Sequence, residues 1–145
     1  MRLAARANSL TEELLHLPDP QERLAAAVDR ARRAPKLPPE DRLPAARVPG
    51  CSSSVWLRGE LRDGRCYFRA DADSPVVRGL ASLLADFFDG ARPSEIVASQ
   101  ADPLELLDLK RSLTPTRRHG LAAVRAAIQE FARTSLINAD DAAPS

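Results

Sequence analysis

Long apolar runs are missing from this chain. No stretch approaches the 18 residues needed to cross a bilayer. The N-terminus, Met1-Arg2-Leu3-Ala4-Ala5-Arg6, lacks the apolar core of a secretory signal. A soluble, cytoplasmic protein with no membrane partner is expected. An excess of one charge sign is missing too: 21 basic against 20 acidic side chains leave a net +1. Residues 1–48, 49–100 and 101–145 carry +2, −1 and 0, so the total hides no charged arm. General nucleic-acid binders carry a basic excess, and none is expected here. Lysine is scarce beside arginine, and with abundant alanine this reads as base-composition bias.

Cysteine and histidine are equally sparse. Two cysteines, Cys51 and Cys66, are too few for a disulfide scaffold. With only His16 and His119 beside them, no set has zinc-ligand spacing. The six glycines are scattered, so there is no phosphate-cradling loop. What is present suits one domain: 145 residues, 44% hydrophobic, enough for a core.

The order of elements follows from periodicity and punctuation. Leu3, Leu10, Leu14 and Leu17 share a helical face, with Ser9 and Glu12 at capping-box spacing and Pro18 as terminator. Asp19-Pro20 restarts a helix, with a stripe of Leu24, Val28 and Ala31 running to about Arg33. Five prolines between Ala34 and Pro49 predict a rigid extended connector laid over the core. Val55 to Leu61 reads as a strand with Val55, Leu57 and Leu61 on one side. Asp63-Gly64 is a hairpin turn, and Arg65 to Ala70 returns with Cys66, Phe68 and Ala70 inward. Arg47-Val48 could supply a short third strand. Ser74-Pro75 opens a helix with Val76, Leu80, Leu83, Leu84 and Phe87 as its stripe, ending at Gly90. Short helices follow at Pro93–Ala98 and Pro103–Leu109. Thr114-Pro115 opens the last helix, whose core face is Leu121, Val124, Ile128 and Phe131. Residues 1–136 are expected to form the domain, with 137–145 a flexible tail. The class is α+β: a small antiparallel sheet of about three strands covered by several helices.

Chemistry concentrates in Pro49-Gly50-Cys51-Ser52-Ser53-Ser54. It lies between connector and strand, where scaffolds hold reactive groups. Hydroxyls and main-chain amides there could stabilise a thiolate. A buried small hydrophobe is the other reading of Cys51. Cys66, inward on a strand between apolar neighbours, is structural. The serine run is not a Gly-x-Ser-x-Gly elbow, since position 54 is serine. His119 is the only candidate histidine partner for Cys51, while His16 sits where it would meet terminal carbonyls of its helix. Asp71 and Asp73 close the second strand before a helix N-terminus, where capping and turn chemistry is the plain reading. Arg117 and Arg118 oppose the macrodipole of the last helix, which hints at something external.

Four separated blocks resemble one family. Gly50-Cys51-Ser52-Ser53-Ser54-Val55-Trp56 resembles the Gly-Cys-x-Ser-x-Val-Trp signature of the SufE family. Asp71-Ala72-Asp73-Ser74-Pro75-Val76-Val77-Arg78-Gly79-Leu80 is similar to its Asp-Ser-Asp…Ile-Val-Lys-Gly-Leu stretch, with Ala72 in place of serine. Leu113-Thr114-Pro115-Thr116-Arg117-Arg118-His119-Gly120-Leu121 resembles its Leu-Thr-Pro-Ser-Arg-x-x-Gly-Leu block, and Leu37 to Arg42 its approach to the cysteine. The likeness runs from about Leu10 to Phe131.

The resemblance implies a SufE/IscU-like fold and a sulfur carrier for iron–sulfur cluster assembly. Cys51 would take persulfide sulfur from a PLP-dependent cysteine desulfurase, stimulate that enzyme, and deliver the sulfur to a cluster scaffold complex. PLP would belong to the desulfurase, and this chain would carry neither cofactor nor metal. Gly50, Ser53, Val55 and Trp56 would support the cysteine loop. Asp71, Asp73 and Arg117 would bind a partner or position the loop. Two rival readings are a stand-alone thiol enzyme and a desulfurase activator that carries no sulfur.

Overall fold

The computed structural model describes residues 3–14, 16–33, 37–38, 40, 42, 44–49 and 54–142. Helix α1, Leu3–Leu14, buries Leu3, Leu10 and Leu14. Ser9 lies inside this helix, so the Ser9–Glu12 spacing does not open one. Asp19 caps α2, Pro20–Arg32: its carboxylate accepts the Gln21 N–H at 2.9 Å, and Pro20 takes the first helical position, where no N–H is needed.

The inward stripe of α2 differs from the expected Leu24, Val28 and Ala31. Arg23 and Ala27 are buried, Leu24 and Val28 half-buried, and the Ala31 side chain lies outside the described residues. A buried guanidinium is tolerable here because it donates to three main-chain carbonyls: Leu17 at 2.7 Å, Pro18 at 3.3 Å and Leu107 at 3.1 Å. It thereby ties the α1–α2 turn to a segment 84 residues away.

Strand β1, Val55–Arg62, and β2, Arg65–Ala72, form an antiparallel hairpin. Asp63 and Gly64, with φ of 52° and 76°, make the left-handed turn that matches strand twist. Val55, Cys66, Phe68 and Ala70 face inward as expected, whereas Leu61 at the hairpin tip is exposed. Among the described residues the sheet has two strands, not about three. Arg47 contributes a single bridge to Trp56. Pro44, in a 3₁₀ turn at Pro44–Ala46, and Pro49 bracket it, leaving no room for a ladder.

Four helices complete the chain: α3, Pro75–Phe88; α4, Pro93–Ala98; α5, Pro103–Leu106; and α6, Pro115–Ala142. The core lies between the inner sheet face, α3 and α6, with Leu80, Leu84, Phe88, Val124 and Ile128 fully buried. Gly59 lets Phe131 of α6 lie flush on β1, since a Cβ there would meet the ring at 2.6 Å. α5 stops short of the expected Leu109: Asp108 turns left-handed at φ 54° and leads into a 3₁₀ turn, Lys110–Ser112. α6 runs on to Ala142, past the point where a tail was expected. Among the described residues no helix is long and apolar enough to cross a membrane.

Candidate functional site

Gly50, Cys51, Ser52 and Ser53 lie outside the described residues; the frame on either side of them does not. The Val48 N–H donates to the Val55 carbonyl at 2.8 Å, and Arg47 bridges to Trp56. The Asp73 N–H, just past β2, donates to the Ser54 carbonyl at 3.1 Å. Val55 is wholly buried and anchors the start of β1. The Pro49–Ser54 connection is therefore tied at both ends to the sheet.

At the foot of this frame lies a buried carboxylate. Register places Asp71 opposite Trp56, on the sheet face that points away from α3 and α6. It is nevertheless fully buried. Arg42, from the proline-rich connector, donates to Asp71 Oδ2 at 2.6 Å. Arg78, from the first turn of α3, reaches Oδ1 at 3.1 Å, and the Ala72 N–H donates to the same oxygen at 2.8 Å. Burying a carboxylate is costly unless it is paired and hydrogen-bonded, and these three partners meet that condition. The Arg42 guanidinium also stacks over Trp56, 5.1 Å from the ring centroid. Its Nε is buried with no hydrogen-bond partner. The cluster thus holds two cations against one anion and clamps connector, sheet and α3 together where the thiol segment is tied.

The remaining candidates separate cleanly. Trp56 is half-buried under Arg42, and Asp73 is exposed, engaged through its main chain. Arg117 is exposed in the first turn of α6, where its N–H is accepted by the capping Thr114 hydroxyl at 3.2 Å. Its guanidinium meets no partner among the described residues. Sequence reasoning named Trp56 as support for the cysteine loop and Asp71, Asp73 and Arg117 as groups that bind a partner or position it, but missed that Arg42 and Arg78 neutralise Asp71. The available signal was an acidic residue between Ala70 and Ala72 with arginines at both ends of the frame.

Cys66 is wholly buried, and that burial pushes its thiol above the usual range, with a hydrogen bond to Ser135 only partly opposing it. Such a thiol stays protonated and unreactive. His16 places Nδ1 3.3 Å from the Glu12 carbonyl, at the end of its helix. His119 is exposed. Among the described residues no three metal-ligating side chains come together.

Residues 8–132 match the family described as SufE, an Fe-S metabolism associated domain. The chain is 33% identical over 102 residues to an uncharacterized SufE-like protein of Synechocystis sp., covering 70% of this chain and 64% of that one. It is 40% identical over 105 residues to the chloroplastic quinolinate synthase of Oryza sativa subsp. japonica, and 35% identical over 101 residues to that of Arabidopsis thaliana. Those two matches cover 72% and 69% of this chain but 14% of each enzyme. The chain therefore spans less than two thirds of the length of these curated relatives. The solution structure of a hypothetical protein from Thermus thermophilus shares the fold, with a TM-score of 0.74 over 91% of this chain and 96% of that one, at 22% identity. With a family match that covers the frame, the buried clamp and α6 as far as Ala132, this chain belongs to the SufE family and has a role in iron–sulfur metabolism.

Proposed function

We propose that the protein is a sulfur acceptor that receives sulfane sulfur on Cys51 from a PLP-dependent cysteine desulfurase and passes it to an iron–sulfur scaffold complex in the cytoplasm. The observation that carries this reading is the contrast between the two thiols. Cys66 is sealed in the core, while Cys51 belongs to a short connection tied to rigid elements at both ends. Transfer needs reach and thiolate character rather than a catalytic triad. The Cys51 thiolate attacks the outer sulfur of the donor's cysteine persulfide. The donor S–S bond breaks, the donor thiolate leaves, and Cys51 holds the persulfide; one S–S bond is exchanged for another, so no oxidant is required.

The surplus cation of the Arg42–Asp71–Arg78 cluster supports the reading, because nearby positive charge favours a thiolate or persulfide anion over its neutral form. Gly50 and Ser53 support the loop in this scheme, Val55 and Trp56 anchor it, and Asp73 and Arg117 are its exposed partner-facing groups.

The test is incubation with the cognate desulfurase and cysteine, followed by intact mass. The expected result is one added sulfur on the wild type and none on Cys51→Ser. Equal gain by Cys51→Ser would sink the proposal. So would full desulfurase stimulation by Cys51→Ala with no sulfur on the wild type, which would make the protein an activator only.

A further inference from the structure

Each strand residue carries a main-chain donor and acceptor that need partners, and on an edge strand half of them point away from the sheet. The two-residue turn makes Arg62 and Arg65 a hydrogen-bonded pair, so the bonds across the hairpin fall at Arg62/Arg65, Glu60/Tyr67, Arg58/Arg69 and Trp56/Asp71. Cys66, Phe68, Ala70 and Ala72 aim their N–H and C=O groups the other way, at the edge of β2 that no strand covers among the described residues. The chain itself occupies most of that edge. The Cys66 N–H donates to the Ala91 carbonyl at 2.8 Å, and the Cys66 carbonyl accepts the Gly90 N–H at 2.6 Å. The Phe68 N–H is taken by the Asp89 carboxylate at 2.7 Å, and the Ala72 N–H by that of Asp71 at 2.8 Å. Ala70 lies between them, and among the described residues neither its N–H nor its carbonyl meets a partner; nor does the Phe68 carbonyl.

This gap opens into a groove of about 490 Å³ between the β2 edge and α3. Phe68 and Ala70 floor it, Ser82 and Ala85 of α3 form one wall, and Arg69 stands on the opposite rim. Arg69 is exposed and makes no interaction among the described residues. Arg58 and Asp86 also border the groove, each already engaged with a partner.

We infer that the open edge of β2 receives a short extended segment of a partner protein, which adds main-chain bonds at Ala70 and Phe68 and sets an acidic side chain against Arg69. An antiparallel segment whose central residue faces Ala70 exchanges both bonds with it, and its N–H two residues on donates to the Phe68 carbonyl. Phe68 to Ala72 is about 13 Å, the length of about four extended residues. The central side chain falls on the α3 side, against Ala70, Ser82 and Ala85, where a small one fits. Its neighbours in sequence fall on the outer side beside Arg69, the place for a carboxylate. A second copy of this chain fits less well. Two β2 edges related by a two-fold axis at Ala70 would need the Phe68 and Ala72 N–H groups for their next pairs, and both are held by carboxylates. A separate segment brings free N–H groups of its own. Nothing in this contact involves the thiol segment, so it stands whether or not Cys51 carries sulfur.

The probe is the peptide acetyl-Ala-Glu-Ser-Glu-Ala-amide, followed by ¹⁵N amide spectra and hydrogen exchange of the full chain. In the free protein the Ala70 amide should exchange about tenfold or more faster than those of Phe68 and Ala72. The peptide should bind with a Kd of about 1 mM, shift the Phe68, Arg69 and Ala70 amides, and slow exchange at Ala70 about tenfold at saturation. The same peptide N-methylated at its serine keeps charge and side chains but loses the donor to Ala70, and should bind about fivefold weaker. Ala70→Pro removes the outward N–H at an edge position, where proline is tolerated, and should weaken binding by a similar factor, as should Arg69→Glu.

If Ala70→Pro does not fold, the N-methylated peptide makes the same test on the wild type. Equal binding of the two peptides, shifts confined to other amides, no binding at about 10 mM, or an Ala70 amide already protected in the free protein would overturn the proposal. Concentration-dependent shifts at the same amides without peptide would give the edge to a second copy and overturn it as well.

Discussion

Replacing Asp71 by asparagine removes the charge that holds the connector to the sheet while keeping the shape of the side chain. Asparagine retains an oxygen for the Ala72 N–H, but Arg42 and Arg78 lose their shared anion. Breaking a fully buried pair costs about 3–5 kcal/mol. Here the carboxylate is wholly buried, but the Arg42 side chain is 33% exposed and that of Arg78 16% exposed. Both cations recover part of their hydration, which brings the expected loss to about 2–3 kcal/mol. Arg42→Gln, which removes the wetter cation and leaves Arg78 on Asp71, should cost about 1–2 kcal/mol. Because the two residues share one contact, the double variant should cost about 1 kcal/mol less than the sum. Urea unfolding followed by fluorescence measures all three, and the single tryptophan, Trp56, lies under Arg42 and reports the clamp directly. Asp71→Asn should alkylate faster at Cys51, since the clamp fixes one end of its segment and Asp71 offsets local positive charge. The reasoning is refuted if Asp71→Asn lies within about 0.5 kcal/mol of wild type, adds to Arg42→Gln without coupling, and leaves Cys51 alkylation unchanged.

Two further outcomes follow from the packing. A Cβ on Gly79 of α3 would sit 2.8 Å from the Cα of Val28 in α2, main chain rather than a side chain that could swing away. Gly79→Ala should therefore lower stability by about 1–2 kcal/mol even after the gain in helix propensity, and a higher melting temperature would show the contact to be looser than described. For Cys66, burial holds the thiol above its ordinary 9.0, so as pH rises the unfolded chain loses this proton first. The stabilisation is complete below that value and declines above it, so the wild-type urea midpoint should fall between neutral and strongly alkaline pH more than that of Cys66→Ala. Equal declines would place Cys66 in contact with water.

Several elements were legible because their causes are local. Asp19-Pro20 and Thr114-Pro115 opened helices through the Asp19 carboxylate and the Thr114 hydroxyl, and Ser74-Pro75 opened α3 through proline geometry without a side-chain cap bond. Asp63-Gly64 made the hairpin turn, and β2 alternated as written. The errors arose where burial depends on distant chain. Arg23 lay outside the expected stripe of Leu24, Val28 and Ala31, yet carbonyls from two segments enclose it. Leu61 matched the inward phase of β1 but lies at the tip, beyond the reach of the helices.

The amino-acid sequence by itself determined the order of elements, the α+β class and the inward place of Cys66, because caps, turns and period-two alternation act within a few residues. It also carried the motif blocks by which the family is recognised. Only the tertiary structure decided what Asp71 does. An aspartate at the end of a strand reads as turn chemistry until Arg42 and Arg78, from a connector and a helix, converge on it and exclude water. Only the pairing register gathered Arg58, Arg62, Arg65 and Arg69, which a linear count balances to near neutrality, onto one open face. Net charge is a sum over the chain, whereas the local field depends on which charges the fold places side by side.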